Sequence, residues 1–256
     1  MQPAIVVTGA SSGLGAEFAK LAAREGGKVV LVARSVHDME ALAADIDPAG
    51  GSCVILGIDL AAPDAGEVIA RELEAKGIYC DILINNAGFG LFGEAVQLDR
   101  EAQFGIIDVN VRAATDLMLR FLPDMVARRR GHVLNVGSVA SFAPGPRMAV
   151  YFASKAYLLS LSQAVKQEVR NSGVTVTCLC PGPVRTPFLA RAGAERSALF
   201  KGLHRLDADE VARAGWDAMK AGRALCVPGI GNKITVMATR FLPRAAVLAI
   251  VGRMQR

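Results

Sequence analysis

The sequence of 256 residues holds five cysteines, three histidines and, after Asp217, not one acidic residue. Cys53, Cys80, Cys178, Cys180 and Cys226 are odd in number and include no C-x-x-C pair, which argues against a disulfide framework or a metal site. They read as core thiols, with Cys178 and Cys180 on one face of a strand. No apolar run reaches the roughly 18 uncharged residues that a membrane span needs. The opening residues MQPAIVVTGA lack the basic and long apolar regions of a secretory signal, so the expected setting is cytoplasmic. His37, His132 and His204 have no nucleophile motif beside them. Gly137-Ser138-Val139 lacks the flanking glycines of a nucleophile elbow, which disfavours a Ser/His/Asp hydrolase.

What is present suits one α/β domain. A mean hydropathy of +0.34 with 21% charged residues argues against disorder, and the length allows a sizeable core. The net charge of +5 is confined to one end: residues 1–230 hold 24 basic and 24 acidic side chains, while Lys233, Arg240, Arg244, Arg253 and Arg256 face no acid. A basic pI without a basic folded face makes nucleic acid a poor partner. Arg128-Arg129-Arg130 is expected to be a solvated helix end, where cations offset the helix dipole.

Runs of Val, Ile and Leu without polar alternation recur at Ala4–Val7, Val29–Ala33, Val54–Ile58, Ile82–Ile84, His132–Val136, Val174–Cys180 and Ala224–Val227. Stretches of helical length lie between them, including Ala16–Arg24, Asp64–Lys76, Glu101–Leu122 and Tyr151–Asn171. Strands buried on both faces belong to a parallel sheet covered by helices. The expected fold is therefore a Rossmann-like, doubly wound parallel sheet of about seven strands in a single α/β domain over residues 1–230. Pro187 to Leu206 is long for a connector and reads as a substrate lid.

The first strand runs into Thr8-Gly9-Ala10-Ser11-Ser12-Gly13-Leu14-Gly15, followed at once by a helix. Glycines in this setting allow a tight turn and close backbone approach to a pyrophosphate at the helix N-terminus. The spacing is one residue wider in its first gap than the G-x-G-x-x-G fingerprint. The second strand ends in Val32-Ala33-Arg34-Ser35, with no carboxylate for a ribose 2′-hydroxyl. Arg34, with Ser35 and Ser12, suits the 2′-phosphate of NADP, unless Arg34 only snorkels from a strand end. Tyr151 and Lys155 are four apart, one helical turn on one face. A nearby ammonium favours a phenolate, so Lys155 is expected to lower the Tyr151 pKa from its usual ~10 toward working pH, making a general acid/base.

Together with Asp59-Leu60, Asn85-Asn86-Ala87-Gly88, Ser138 and Pro181-Gly182-Pro183-Val184-Arg185-Thr186, these motifs resemble the short-chain dehydrogenase/reductase family over residues 4–190. The resemblance implies an NADP(H)-dependent oxidoreductase that interconverts a carbonyl and a secondary alcohol of a small molecule. It implies that Tyr151 passes the proton, that Lys155 tunes it and bonds the nicotinamide ribose, that Ser138 bonds the substrate oxygen and that Asn110 holds a water on the proton path. It also implies cofactor contacts from Gly9, Ser11, Gly13, Leu14 and Gly15, from Asp59 and Leu60 by the adenine, and from Asn86, Ala87 and Gly88. Pro181, Gly182, Val184 and Thr186 would lie by the nicotinamide. A homo-oligomer, dimer or tetramer, is expected on the same ground. The alternative is a non-catalytic NADP-binding regulator of the same fold, which the presence of Tyr151, Lys155, Ser138 and Asn110 disfavours.

Substrate choice is expected in Ala140–Val150 and in Pro187–Leu206, where Phe188, Leu189, Leu199 and Phe200 mix with Arg191, Arg196, Lys201 and Arg205. That mixture suits a hydrophobic or acyl-type carbonyl compound, one with an acidic carrier included. Residues 231–256 form a basic, apolar tail interrupted by Pro243. Two readings of it stay open: packing on the domain or a sister subunit, and peripheral contact with an anionic membrane.

Overall fold

A computed structural model of the chain describes residues 1–194 and 205–255. The apolar runs form seven parallel strands: β1 (Gln2–Thr8), β2 (Lys28–Ala33), β3 (Cys53–Gly57), β4 (Ile78–Asn85), β5 (Gly131–Val136), β6 (Val174–Leu179) and β7 (Leu225–Cys226). They lie in the order β3-β2-β1-β4-β5-β6-β7, the Rossmann-like arrangement expected. The main helices are α1 (Gly13–Arg24), α2 (Val36–Ile46), α3 (Ala65–Ala75), α4 (Arg100–Ile107), α5 (Ala114–Ala127), α6 (Ala149–Glu168), the short α7 (Phe188–Arg191) and α8 (Ala208–Lys220).

The lack of polar alternation follows from burial on two faces. Ala4 and Val6 of β1 join Leu73, Leu117 and Phe121 beneath α3 and α5. Ile5 and Val7 point the other way, to Phe18, Met39 and Trp216 beneath α1, α2 and α8. Each such side chain contributes about 1.5–3 kcal/mol on full burial, which sets the register against a one-residue slip. β1 sits between β2 and β4, where the winding reverses, so a crevice opens above the carboxyl ends of β1 and β4.

Four local features depart from the sequence reading. Helix α2 was not among the stretches singled out; Met39, Leu42, Ala43 and Ile46 fall on one helical face against the core, only Met39 of them fully buried, and the Ser35 hydroxyl caps the helix by accepting from the Asp38 amide at 3.4 Å. Glu101–Leu122 is not one regular helix, because a π-helical turn at Asp108–Ala113 separates α4 from α5. The arginine run is more engaged than a solvated helix end: Arg128 stacks over Tyr79 at 4.1 Å, and Arg130 pairs with the buried Asp81 at 2.9 Å. An unpaired carboxylate there would cost several kcal/mol, which explains the pairing. The tail folds into α9 (Ile230–Phe241) and α10 (Arg244–Met254), with Pro243 at the break.

Cys178 and Cys180 point to one face as expected, fully buried, with their sulfurs 3.7 Å apart. No helix among the described residues is long and apolar enough to cross a membrane. Arg196, Leu199, Phe200 and Lys201, expected in the lid, lie outside the described residues.

Candidate active site

The glycine turn and the loop after β4 are built against each other. The Thr8 hydroxyl donates to the Ile84 carbonyl at 3.2 Å and accepts from the amides of Asn86 and Ala87, each at 3.0 Å. Asn86 returns the contact, its Nδ2 donating to the Thr8 and Gly9 carbonyls at 2.8 and 3.3 Å. A Cβ on Gly15 would stand 2.1 Å from the Gly9 oxygen, so that position accepts only glycine. Gly9, at φ +65, takes a left-handed conformation that side chains resist. Ser12 is the N-cap residue of α1, but its hydroxyl makes no capping bond. The first amides of α1 thus keep the donors that suit an anion.

Around this turn the structure gathers Ser11, Gly13, Leu14, Arg34, Ser35, Asp59, Leu60, Ala87 and Gly88 along one cavity wall. Arg34 is exposed at the end of β2, its guanidinium ending without an ion-pair partner among the described residues. Asp59 accepts from the Ala61 amide at 3.0 Å, which shapes the turn after β3 and leaves Leu60 buried.

The other end of the cavity is set by β5, α6 and the π-helical turn. Ser138 follows β5 and caps the short helix Val139–Phe142; its oxygen accepts from the Ala140 amide at 3.1 Å, which leaves its O–H to donate elsewhere. Tyr151 and Lys155 lie one turn apart on α6, both buried. The Lys155 ammonium donates to the Val136 carbonyl at 2.8 Å and sits 5.8 Å from the centre of the Tyr151 ring. The π-helical turn directs Asn110 inward: its Oδ1 accepts from the Phe89 amide at 3.1 Å, and its Nδ2 donates to the Phe89 carbonyl and the Ser154 hydroxyl, each at 3.0 Å. A Cβ on Gly88 would meet Asn110 Oδ1 at 3.0 Å and Lys155 Nζ at 3.2 Å, so these two groups converge on one glycine.

The electrostatics correct one expectation. Tyr151 is pushed up to about 12, because burial disfavours the phenolate and outweighs the opposing bond from Ser138. Lys155 is pushed down to about 8 by its own burial. The lysine does not lower the phenol here: it is tied to Val136, and the dry surroundings penalise both charged forms.

Pro181–Thr186 closes the wall between the two ends. Val184 pairs with Leu206 beside the sheet, a Cβ on Gly13 would touch Thr186 at 3.1 Å, and Gly182 leaves room for Asn232 of α9. The cavity running from the glycine turn to Tyr151 holds about 1120 Å³. Its lining is largely apolar beyond the phenol, where Tyr151, Phe152, Met148 and Leu189 form one cluster with Phe188 and Val251 packed on it.

Two contributions were absent from the sequence reading. Arg191 of α7 reaches back to the turn and donates to the Ser12 hydroxyl at 3.1 Å. The tail also lines the cavity, through Asn232, Thr235 and Thr239 of α9 and Val247, Val251 and Met254 of α10. Arg147 holds the far end of α10 by donating to the Gln255 carbonyl at 3.2 Å. Only the apolar content of the tail hinted at this, since its place depends on contacts distant in sequence.

Comparison with known proteins agrees with this geometry. Residues 3–197 match the family model for short chain dehydrogenase. An oxidoreductase of Myxococcus xanthus is 36% identical over 214 residues, covering 80% of this chain and 85% of the relative. A fatty acyl-CoA reductase of Acinetobacter baylyi is 34% identical over 72% of this chain and 63% of its own length. Among solved structures, a short-chain dehydrogenase from Sphingobium yanoikuyae in complex with NADPH superimposes with a TM-score of 0.82 at 32% identity, covering 96% of this chain and 95% of that one.

Proposed function

The chain belongs to the short chain dehydrogenase family, and from that membership we propose that it is an NADP(H)-dependent oxidoreductase interconverting a carbonyl and a secondary alcohol on a hydrophobic or acyl-type substrate. The observation that carries this reading is the single cavity joining the Gly9–Gly15 turn to the Tyr151 phenol. The residues present fit a dinucleotide: uncapped amides at the start of α1 for the diphosphate, Gly15 where any Cβ would collide, Gly88 where one would crowd Asn110 and Lys155, and an exposed guanidinium at the end of β2. Arg34, in place of a carboxylate, favours the 2′-phosphate and therefore NADP(H) over NAD(H). The Sphingobium neighbour in complex with NADPH supports that choice.

When bound, the cofactor supplies the hydride. The protein manages the proton. A phenol held neutral to about 12 is in the correct form to donate to a carbonyl oxygen. Ser138, whose oxygen accepts from the Ala140 amide, has a hydroxyl proton that bonds the Tyr151 phenol and would turn to the same substrate oxygen. Lys155 and Asn110 converge on Gly88, and Asn110 pins the Phe89 backbone beside it.

The apolar walls from Met148, Phe152, Leu189 and Val251 support a hydrophobic substrate, and the fatty acyl-CoA reductase among the relatives supports an acyl type. The test is NADPH consumption with ketones and acyl thioesters of graded chain length. Turnover rising with chain length is expected; activity confined to small aldehydes would refute the hydrophobic assignment.

A further inference from the structure

Sixteen large hydrophobic side chains are exposed among the described residues, and eight of them lie within residues 230–254, a concentration that marks a patch rather than scatter. On α9 they form a continuous line: Ile230, Ile234, Met237 and Phe241, spaced 4, 3 and 4 apart, are 77%, 64%, 52% and 80% exposed. That spacing is one face of a helix. The opposite face carries Asn232, Thr235 and Thr239 toward the cavity, whose lining also reaches Ile234 at the edge of the stripe, whereas Ile230, Met237 and Phe241 stand clear of it. The amphipathic helix is therefore inverted, with its apolar stripe outward, and no residue of α9 is buried. Leu248 extends exposed apolar surface onto α10, where Ile250 and Met254, also exposed, stand at the cavity lining.

Cations accompany the stripe. Lys233, Arg240, Arg244 and Arg253 stand on the same two helices, and none is ion-paired to a described residue. The segment contains no acid to answer them.

We propose that the outward face of α9 and α10 docks on an anionic lipid bilayer. Charge decides the occupant. A second copy meeting this face about a two-fold axis would press an acid-free cationic patch against its own image, and like charges so placed repel. The remainder of the chain, with 24 basic and 24 acidic side chains, offers no net attraction. An anionic membrane answers both features at once, taking the apolar stripe into the interface and holding the cations at the headgroups. Because the inner side of the same helices lines the cavity, docking sets the cavity wall against the lipid.

The test is flotation of the full chain with vesicles of phosphatidylcholine plus phosphatidylglycerol, and with phosphatidylcholine alone. The protein is expected to float with the anionic vesicles, to float far less with neutral ones, and to be released by high salt. Ile230→Ser/Phe241→Ser, two side chains outside the cavity lining, is expected to lower partitioning by at least about tenfold. Circular dichroism, melting temperature and light-scattering mass stay unchanged if the variant is folded and the face is free. Arg240→Gln/Arg244→Gln, which leaves the apolar stripe intact, is expected to lower anionic-vesicle binding alone. Absence of flotation with anionic vesicles, or flotation of both variants equal to wild type, overturns the proposal. A fall in oligomeric mass on Ile230→Ser/Phe241→Ser without lipid binding overturns it in favour of a second copy.

Discussion

Replacing Lys155 by Met tests whether this buried ammonium works against the fold. Burial moves its pKa from 10.5 to about 8, a displacement equivalent to about 3 kcal/mol of penalty at neutral pH. Met keeps most of the stem volume but abandons the Val136 carbonyl, a loss of about 1–2 kcal/mol. The variant, free of cofactor, is thus expected to be more stable than wild type at pH 7 by about 1–2 kcal/mol, or a few degrees in melting temperature. The pH dependence is the sharper part. Between pH 8 and 10.5 the unfolded lysine holds a proton that the folded one has released, so wild-type stability rises with pH in that window while the variant gains nothing from it. The difference should shrink by about 2–3 kcal/mol from pH 7 to pH 10, below the range in which Tyr151 titrates. Urea denaturation at both pH values measures it. A difference of equal size at pH 7 and pH 10 would show that native Lys155 keeps its proton up to pH 10 and refute the reasoning.

Two further substitutions probe the cofactor end. Arg34→Asp removes a phosphate partner at the end of β2 and adds a repelling charge, so the ratio of kcat/KM for NADPH over NADH should fall by about 10–100-fold; an unaltered ratio removes Arg34 from phosphate recognition. Gly15→Ala places a methyl 2.1 Å from the Gly9 oxygen and 2.6 Å from Asn86 Nδ2, so the turn must shift at about 1–3 kcal/mol. A lower melting temperature and weaker NADPH binding by fluorescence titration are expected; normal binding would show that the turn has slack.

The sheet was legible because each strand is buried on both faces, which writes itself as unbroken Val, Ile and Leu at sites such as Val29–Val32 and Leu83–Ile84. The candidate site was legible where a residue type is scarce elsewhere: a Tyr and a Lys one turn apart, glycines before a helix, an Arg where a carboxylate could stand. Helix α2 was passed over although Met39, Leu42, Ala43 and Ile46 fall on one helical face and pack on the core. The π-helical turn at Asn110 escaped because its local sequence still favours helix, and the inward pull comes from Phe89 and Ser154. The direction of the Tyr151 shift was misjudged because proximity to Lys155 was read without the dehydration both groups share. The tail's share in the cavity depends on Asn232 meeting Gly182 and on Arg147 meeting Gln255, pairings that no local pattern encodes.

The central claim is hydride transfer to or from a carbonyl carbon with Tyr151 handling the proton. Incubation with NADPH deuterated at both C4 positions and a hydrophobic ketone, followed by mass spectrometry of the product, tests it most directly. The wild type is expected to give an alcohol bearing one deuterium on the carbinol carbon. Tyr151→Phe is expected to bind NADPH with its affinity within about twofold of wild type and to form product 10²–10⁴-fold more slowly. Deuterium absent from the alcohol, or a Tyr151→Phe variant as fast as wild type, would contradict the account.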